Sequence, residues 1–379
     1  MNGFLRTAGA VATAGAIVAA SAAGTLRAEA ADTVKAGVIL SIEGIFSSIG
    51  VPERQGIELA VEQINAAGGV GGKQIELVVY DDGGDQVKAV QLANRLIYQD
   101  KVEVSFGPTV TPTGEMITPV FEQNGVLMIG FIAQEYVWRG TSYIFMSLPS
   151  DGINAEAMVL HAKRHANAAN IAVAYANVPY GVNGNKFIRQ MAEKHGVNVV
   201  TEEKWGETDI DFTAQANRLK GEGPDAILIW GSCAVADAQF IKALREAGEN
   251  APIVGNLCIP SPHTAEIAGE AAEGAVAFSV VDYANPDAET QAFLAAFNEK
   301  FGNFPIPFAA TSYDGVHLWA KAVERAGGKT DSDSVAAAMI GVEHKGVSGQ
   351  YHITEDNHHG MSAEAYKPIV LQNGQWVSM

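Results

Sequence analysis

Residues 102–113 read Val-Glu-Val-Ser-Phe-Gly-Pro-Thr-Val-Thr-Pro-Thr, a short β-branched and aromatic run broken by Gly-Pro and closed by a proline between two threonines. Val102 to Phe106 has the composition of a buried strand, and Gly107-Pro108 that of a turn. Thr111 suits a helix N-cap, with Pro112 at the first helical position, where its missing N–H is no loss. A strand turning directly into a helix start is the unit of a parallel α/β sheet. Ligands of such sheets sit beyond the carboxyl ends of the strands, where first-turn amides lack partners. Hydroxyls and free amides converge there on one small anion, and each charge-assisted bond contributes about 1.5–3 kcal/mol. An ordinary capped helix without a ligand has the same signature, so the segment alone leaves both readings open.

The same alternation extends outward in both directions. Val34 to Leu40, Ile75 to Tyr80 and Val126 to Ile129 read as further strands. Between them, Ile57, Ala60, Val61 and Ile64 form one helical stripe, with Pro52 suited to its first turn and Gly68-Gly69 ending it; Ala89, Leu92, Ala93 and Leu96 repeat the spacing. Strands alternating with helices imply parallel sheets covered on both faces. A second set follows, with strands at Ile171 to Tyr175, Val197 to Thr201, Ala226 to Trp230, Pro252 to Gly255 and Ala275 to Val280. Later, Phe293, Leu294, Phe297 and Phe301 mark a helix, Thr311 to Ala326 another, and short strands fall around Gln350 to Ile353 and Ile369 to Leu371. The predicted organisation is an N-terminal lobe of residues 31–148 plus 283–351 and a C-terminal lobe of 149–282 plus 352–379, with crossovers near Leu148, Asp282 and Tyr351 acting as a hinge.

Arg6, the apolar run Ala8 to Gly24 and the small-x-small triplet Ala28-Glu29-Ala30 predict a signal peptide over residues 1–30, and hence a periplasmic protein. Its removal takes away Arg6, Arg27 and Glu29, which makes the net charge of −18 one unit more negative. Such a surface repels a polyphosphate at long range, which argues against nucleic acid as a partner. The 379 residues exceed what one core holds, as two lobes require. Cys233 and Cys258 just follow two successive strands, so a disulfide between them is possible, and two free thiols are the alternative.

Several segments resemble catalytic or metal motifs without meeting their requirements. Ala67 to Lys73 has Ala67 where a phosphate loop needs glycine and lacks a hydroxyl residue after Lys73. Gly231-Ser232-Cys233 lacks the second glycine of a nucleophile elbow. Asp81-Asp82-Gly83-Gly84-Asp85 lacks calcium-loop spacing, and Asp85 suits the cap of a helix starting at Gln86. His358 and His359, being adjacent, point to opposite faces of an extended segment and read as part of a solvated loop. No catalytic set, cofactor motif or metal framework emerges.

In order and spacing, the whole mature chain resembles the branched-chain amino-acid binding proteins of ABC importers. The segments that carry this are Leu40-Ser41 through Ser48-Ile49-Gly50, Ala60 to Gly72, Tyr80-Asp81-Asp82, Gly125 to Ile129, Val178-Pro179-Tyr180-Gly181 and Ile267 to Gly274. The resemblance implies two Rossmann-like lobes of type I architecture, a small carboxylate clamped between them, no catalysis, membrane permease subunits as partners and a monomer. It places carboxylate contacts on Thr111 and on Ile132, Ala133 and Gln134, and cleft walls on Ile49, Val110, Tyr180, Cys233 and Phe308.

One departure bears on the ligand. Family members that hold an α-amino acid neutralise its ammonium with an acidic residue of the second lobe, and Leu257 stands there. A buried ammonium without a counter-charge costs several kcal/mol. Either Glu43 or Glu135 substitutes, or the ligand is an apolar carboxylate without an amino group, such as an aromatic or branched-chain keto acid. A periplasmic sensor that presents its ligand to a receptor would share this cleft. A dinucleotide enzyme would need a GxGxxG turn, and a sugar-responsive repressor a helix-turn-helix headpiece.

Overall fold

The computed structural model describes residues 32–379 apart from 262, 284, 304, 305, 363 and 364. The expected signal peptide, residues 1–30, lies outside the described residues. The first half of the chain runs β1 (Thr33–Leu40), α1 (Ser47–Ala66), β2 (Gln74–Asp81), α2 (Gln86–Arg95), β3 (Val104–Phe106), α3 (Thr111–Gln123), β4 (Leu127–Gly130), α4 (Glu135–Trp138) and β5 (Ile144–Met146). These strands form one parallel sheet in the order β2-β1-β3-β4-β5. Period-2 alternation explains how both faces are buried. Val34, Ala36, Val38 and Leu40 of β1 join the core with α1, whereas Ile39 points into a separate core with Ala89 and Ala93 of α2.

The second set comprises α5 (Asp151–His165), β6 (Asn170–Ala176), α6 (Pro179–His195), β7 (Asn198–Trp205), α7 (Thr213–Gly221), β8 (Ala226–Trp230), α8 (Val235–Glu246), β9 (Ile253–Gly255) and β10 (Val276–Ser279). The chain then forms α9 (Ala288–Phe301), α10 (Pro307–Arg325), α11 (Ser332–Met339), the antiparallel pair β11 (Glu343–Gly346) and β12 (Gly349–His352), β13 (Lys367–Gln372) and β14 (Gln375–Ser378). The second sheet is ordered β14-β13-β10-β9-β8-β6-β7, parallel from β7 to β10 and antiparallel through β13 and β14. Helix α10 returns to the first sheet, where Val316, Leu318 and Trp319 enter the core with Phe106, and it starts at Pro307 rather than Thr311. Helix α1 likewise begins earlier than Pro52 suggests, so that Pro52 sits inside the helix instead of in its first turn.

Asp85 accepts a hydrogen bond from the Lys88 amide at 2.9 Å, the cap expected for α2. The His358-His359 pair departs from expectation, because both rings are buried. The His358 ring stacks between Trp138 and Phe145, its Nδ1 is 2.7 Å from the Ile144 carbonyl, and His359 Nδ1 meets the Leu148 carbonyl. A neutral imidazole is buried readily once a carbonyl accepts a hydrogen bond from its ring N–H, and burial pushes His359 down to about 4. Beyond Tyr351, where the sequence reading sets the third crossover, Ile353, Met361 and Ala365 still belong to the first core, and β13 is the next strand to join the second sheet.

The crossover strands are tied by a buried carboxylate. Asp314 of α10 accepts hydrogen bonds from the Val347 amide at 3.0 Å, the Ser348 amide at 2.8 Å and the Ser348 hydroxyl. Tyr351 donates to the Ser147 carbonyl at 2.8 Å, which joins this knot to the end of β5. Burial outweighs these donors and pushes Asp314 up to about 7. A folded-state value above the unfolded one means that the stability linked to this proton is fully present below about pH 4 and is lost as pH rises through about 7. In thermal denaturation from pH 4 to 8, Asp314→Asn should flatten the loss of stability that wild type shows, by up to about 1.4 kcal/mol per pH unit. Parallel profiles for the two proteins would show that Asp314 does not carry this dependence.

Candidate ligand-binding site

The starts of several helices from both sheets meet at one cavity. Its lining includes Phe46 and Ile49 of α1 and its approach, Val110, Thr111 and Pro112 at the start of α3, and Val178, Pro179 and Tyr180 at the start of α6. Ser232 and Cys233 precede α8, and Phe308 begins α10. Two glycines permit the approach. A Cβ at Gly50 of α1 would lie 2.1 Å from the Ser41 carbonyl oxygen, and one at Gly181 of α6 would lie 1.9 Å from that of Ala176. Each lobe thus presses a helix start against the end of its own strand.

The cavity measures about 150 Å³, a volume on the scale that holds a single benzene-sized molecule. Phe131, Ile132, Ala133 and Leu148 make much of the first-lobe wall apolar. Helix starts around such a space supply partial positive charge and free amides, a field that favours an anion despite the acidic surface elsewhere.

Of the residues expected to bind, Ile49, Val110, Thr111, Ile132, Ala133, Tyr180, Cys233 and Phe308 line the cavity together. Gln134 and Leu257 do not. The Gln134 amide is fully buried and donates to Asp151 at the first crossover, where an interior carboxylate requires a donor. Leu257 is buried without lining the cavity, and its neighbour Cys258 stands on the wall instead. Thr111 is the first residue of α3, and Val110 occupies the cap position expected for Thr111. Pro112 therefore still falls in the first turn, where the lack of an N–H does no harm.

The neighbouring hydroxyls have different roles. Thr109 donates to the buried Glu53 at 2.6 Å and accepts from the Ser41 amide at 3.1 Å, so its hydroxyl braces the first-lobe wall. Ser232 lines the cavity, and its hydroxyl is buried with no partner among the described residues. Asn256 ties the second-lobe wall together by donating to the Tyr180 hydroxyl at 3.1 Å and to the Gly231 carbonyl at 3.0 Å. Burial holds the Tyr180 phenol well above the ordinary tyrosine range, which leaves it protonated as a donor.

Sequence reasoning missed Phe46, Ser232 and Glu207. Glu207 follows the carboxyl end of β7, the place where strand-end logic looks for ligand contacts, and it puts a carboxylate on a wall expected to have none. Glu43 and Glu135, the substitutes considered from sequence, are absent from the lining, and Glu135 pairs with Arg139.

Cys233 and Cys258 form a disulfide with a Cα–Cα distance of 4.4 Å. They follow β8 and β9, which pair in parallel with Leu228 beside Val254, and both sulfur-bearing residues face the cavity. The bridge closes a loop of 25 residues, for which chain entropy gives a stabilisation of roughly 3 kcal/mol. Thermal denaturation with and without reductant should show a lower midpoint for the reduced protein, as it should for the Cys233→Ser, Cys258→Ser double variant. Equal midpoints would mean that the bridge contributes no stability.

Residues 33–366 match the family described as periplasmic binding protein. The leucine-, isoleucine-, valine-, threonine- and alanine-binding protein of Pseudomonas aeruginosa is 30% identical over 312 residues, covering 82% of this chain and 83% of that one. Among solved structures, a branched-chain amino acid transporter substrate-binding protein from Streptococcus pneumoniae, in complex with isoleucine, superposes with a TM-score of 0.82 at 26% identity, covering 92% of this chain and 100% of the other. A leucine-binding protein from Thermotoga maritima gives 0.81 at 26% identity, over 91% and 97% of the two chains. The chain belongs to the periplasmic binding protein family, with the type I architecture shared by the branched-chain amino-acid binding proteins.

Proposed function

We propose that this protein is the extracytoplasmic solute-binding subunit of an ABC importer and that it captures a small carboxylate by closing its two lobes. The observation that carries this reading is the convergence of helix starts from both sheets on one cavity of about 150 Å³. The carboxylate docks on the first-lobe wall at Val110 and Thr111, within reach of the free first-turn amides of α3 and the Thr111 hydroxyl. The apolar body of the solute packs against Ile49, Phe131, Ile132 and Phe308, while Tyr180 approaches from the second lobe. Three crossovers allow the lobes to swing. The reading includes export through residues 1–30 and membrane permease subunits that recognise the closed form. Its relatives are binding proteins by name, and nothing in the proposed site calls for a reaction.

A thermal-shift screen of amino acids, keto acids, aromatic acids and their amides tests the class of solute. A carboxylate at a hundred times its Kd should add about 2.7 kcal/mol of stability, whereas the matching neutral amide should add much less. Stabilisation by amides equal to that by acids would defeat the anion assignment. With a carboxylate that binds, Thr111→Val should weaken affinity by about 1.5–3 kcal/mol, or roughly tenfold to more than a hundredfold. Titration calorimetry giving the wild-type Kd for that variant would remove Thr111 from the site.

A further inference from the structure

The first-lobe wall provides donors for an anion, and the second-lobe wall carries a feature that an anion alone does not explain. Glu207, beyond the end of β7, lines the same cavity and has no ion-pair partner among the described residues. The same cavity is lined by Ser232, whose hydroxyl is buried with no partner among the described residues and whose amide donates to Asp237 at 2.9 Å.

We infer that the solute carries a hydrogen-bond donor, an ammonium or a hydroxyl, on the part that meets Glu207 and Ser232, so that a purely apolar carboxylate is the wrong class. This inference rests on the proposed carboxylate reading and adds a second recognition point to it. Two like charges repel in a confined site, so the ligand's carboxylate belongs at the Thr111 end, away from Glu207. Closing the lobes over an apolar group would desolvate Glu207 and leave it unpaired, a state that opposes closure. A donor removes that penalty, and the Ser232 hydroxyl can accept from the same group or donate to a neighbouring oxygen. The carboxylate absent at Leu257 is thus supplied from a different loop, and selectivity arises at closure, when Glu207 meets the solute.

Two matched pairs of probes test this by titration calorimetry: L-leucine against 4-methyl-2-oxopentanoate, which lacks the ammonium, and 4-hydroxybenzoate against benzoate, which lacks the hydroxyl. Wild type should bind the donor-bearing member of at least one pair tenfold or more tightly than its partner, and the pair that responds identifies the donor. Glu207→Leu should erase that preference. Glu207→Gln should erase a preference for ammonium and retain part of one for hydroxyl, since the amide oxygen still accepts. Equal or tighter binding of the donor-free members, or a preference that survives in Glu207→Leu, would overturn the inference while leaving the carboxylate reading intact. Failure of all four probes to bind would overturn both.

Discussion

In a parallel sheet every strand must be followed by a connection that carries the chain back, and a helix is the economical way to do so while covering a face. The parallel strands therefore end at one edge, and the helices that follow them begin there. Two such sheets facing each other across crossovers bring both sets of helix starts to one place. The close approach of α1 to Ser41 and of α6 to Ala176, open only to glycine at positions 50 and 181, tightens that arrangement. Remove it, and the cavity loses its free amides, its positive field and its enclosure together.

The site and the surface have opposite electrostatic character. A chain with a net charge of −18 repels anions at a distance. Inside the cavity, however, water is displaced and aligned peptide dipoles act at short range, so local geometry outweighs the distant charges. Acidic groups close to the cavity are managed individually. Glu53 receives the Thr109 hydroxyl, Asp151 the Gln134 amide and Asp237 the Ser232 amide, while Glu207 alone among these lines the cavity. The first three brace walls, and the last is left to meet the solute.

Buried polar groups also fix the segments that connect the two sheets. Asp314 gathers the 347–348 turn against α10, and Tyr351 reaches from β12 to the Ser147 carbonyl after β5. The buried His358 and His359 hold the segment after β12 against Ile144 and Leu148. Polar groups buried in this way specify a geometry, because an unpaired one costs more than a hydrogen bond returns. The connecting segments are accordingly fixed in register.

How much was legible in the sequence follows from how local each property is. Period-2 and period-3.6 burial act over a few residues, so the order of strands and helices, the start of α3 to within one residue and the cap at Asp85 could be read directly. The family resemblance brought in Ile49, Tyr180 and Phe308, whose positions follow from the order of elements along the chain and not from their neighbours. Other features depended on groups far apart in the chain: Cys258 and not Leu257 lines the cavity, Gln134 went to Asp151, and of two histidines that look like loop residues His358 stacks between Trp138 and Phe145 while His359 is buried against the Leu148 carbonyl. The amino-acid sequence by itself determined the alternation of elements and hence the existence of a strand-end cleft. Only the tertiary structure decided which side chains face it, because the direction of a side chain after a strand is set by the packing of the opposing sheet and by which buried polar group needs a partner.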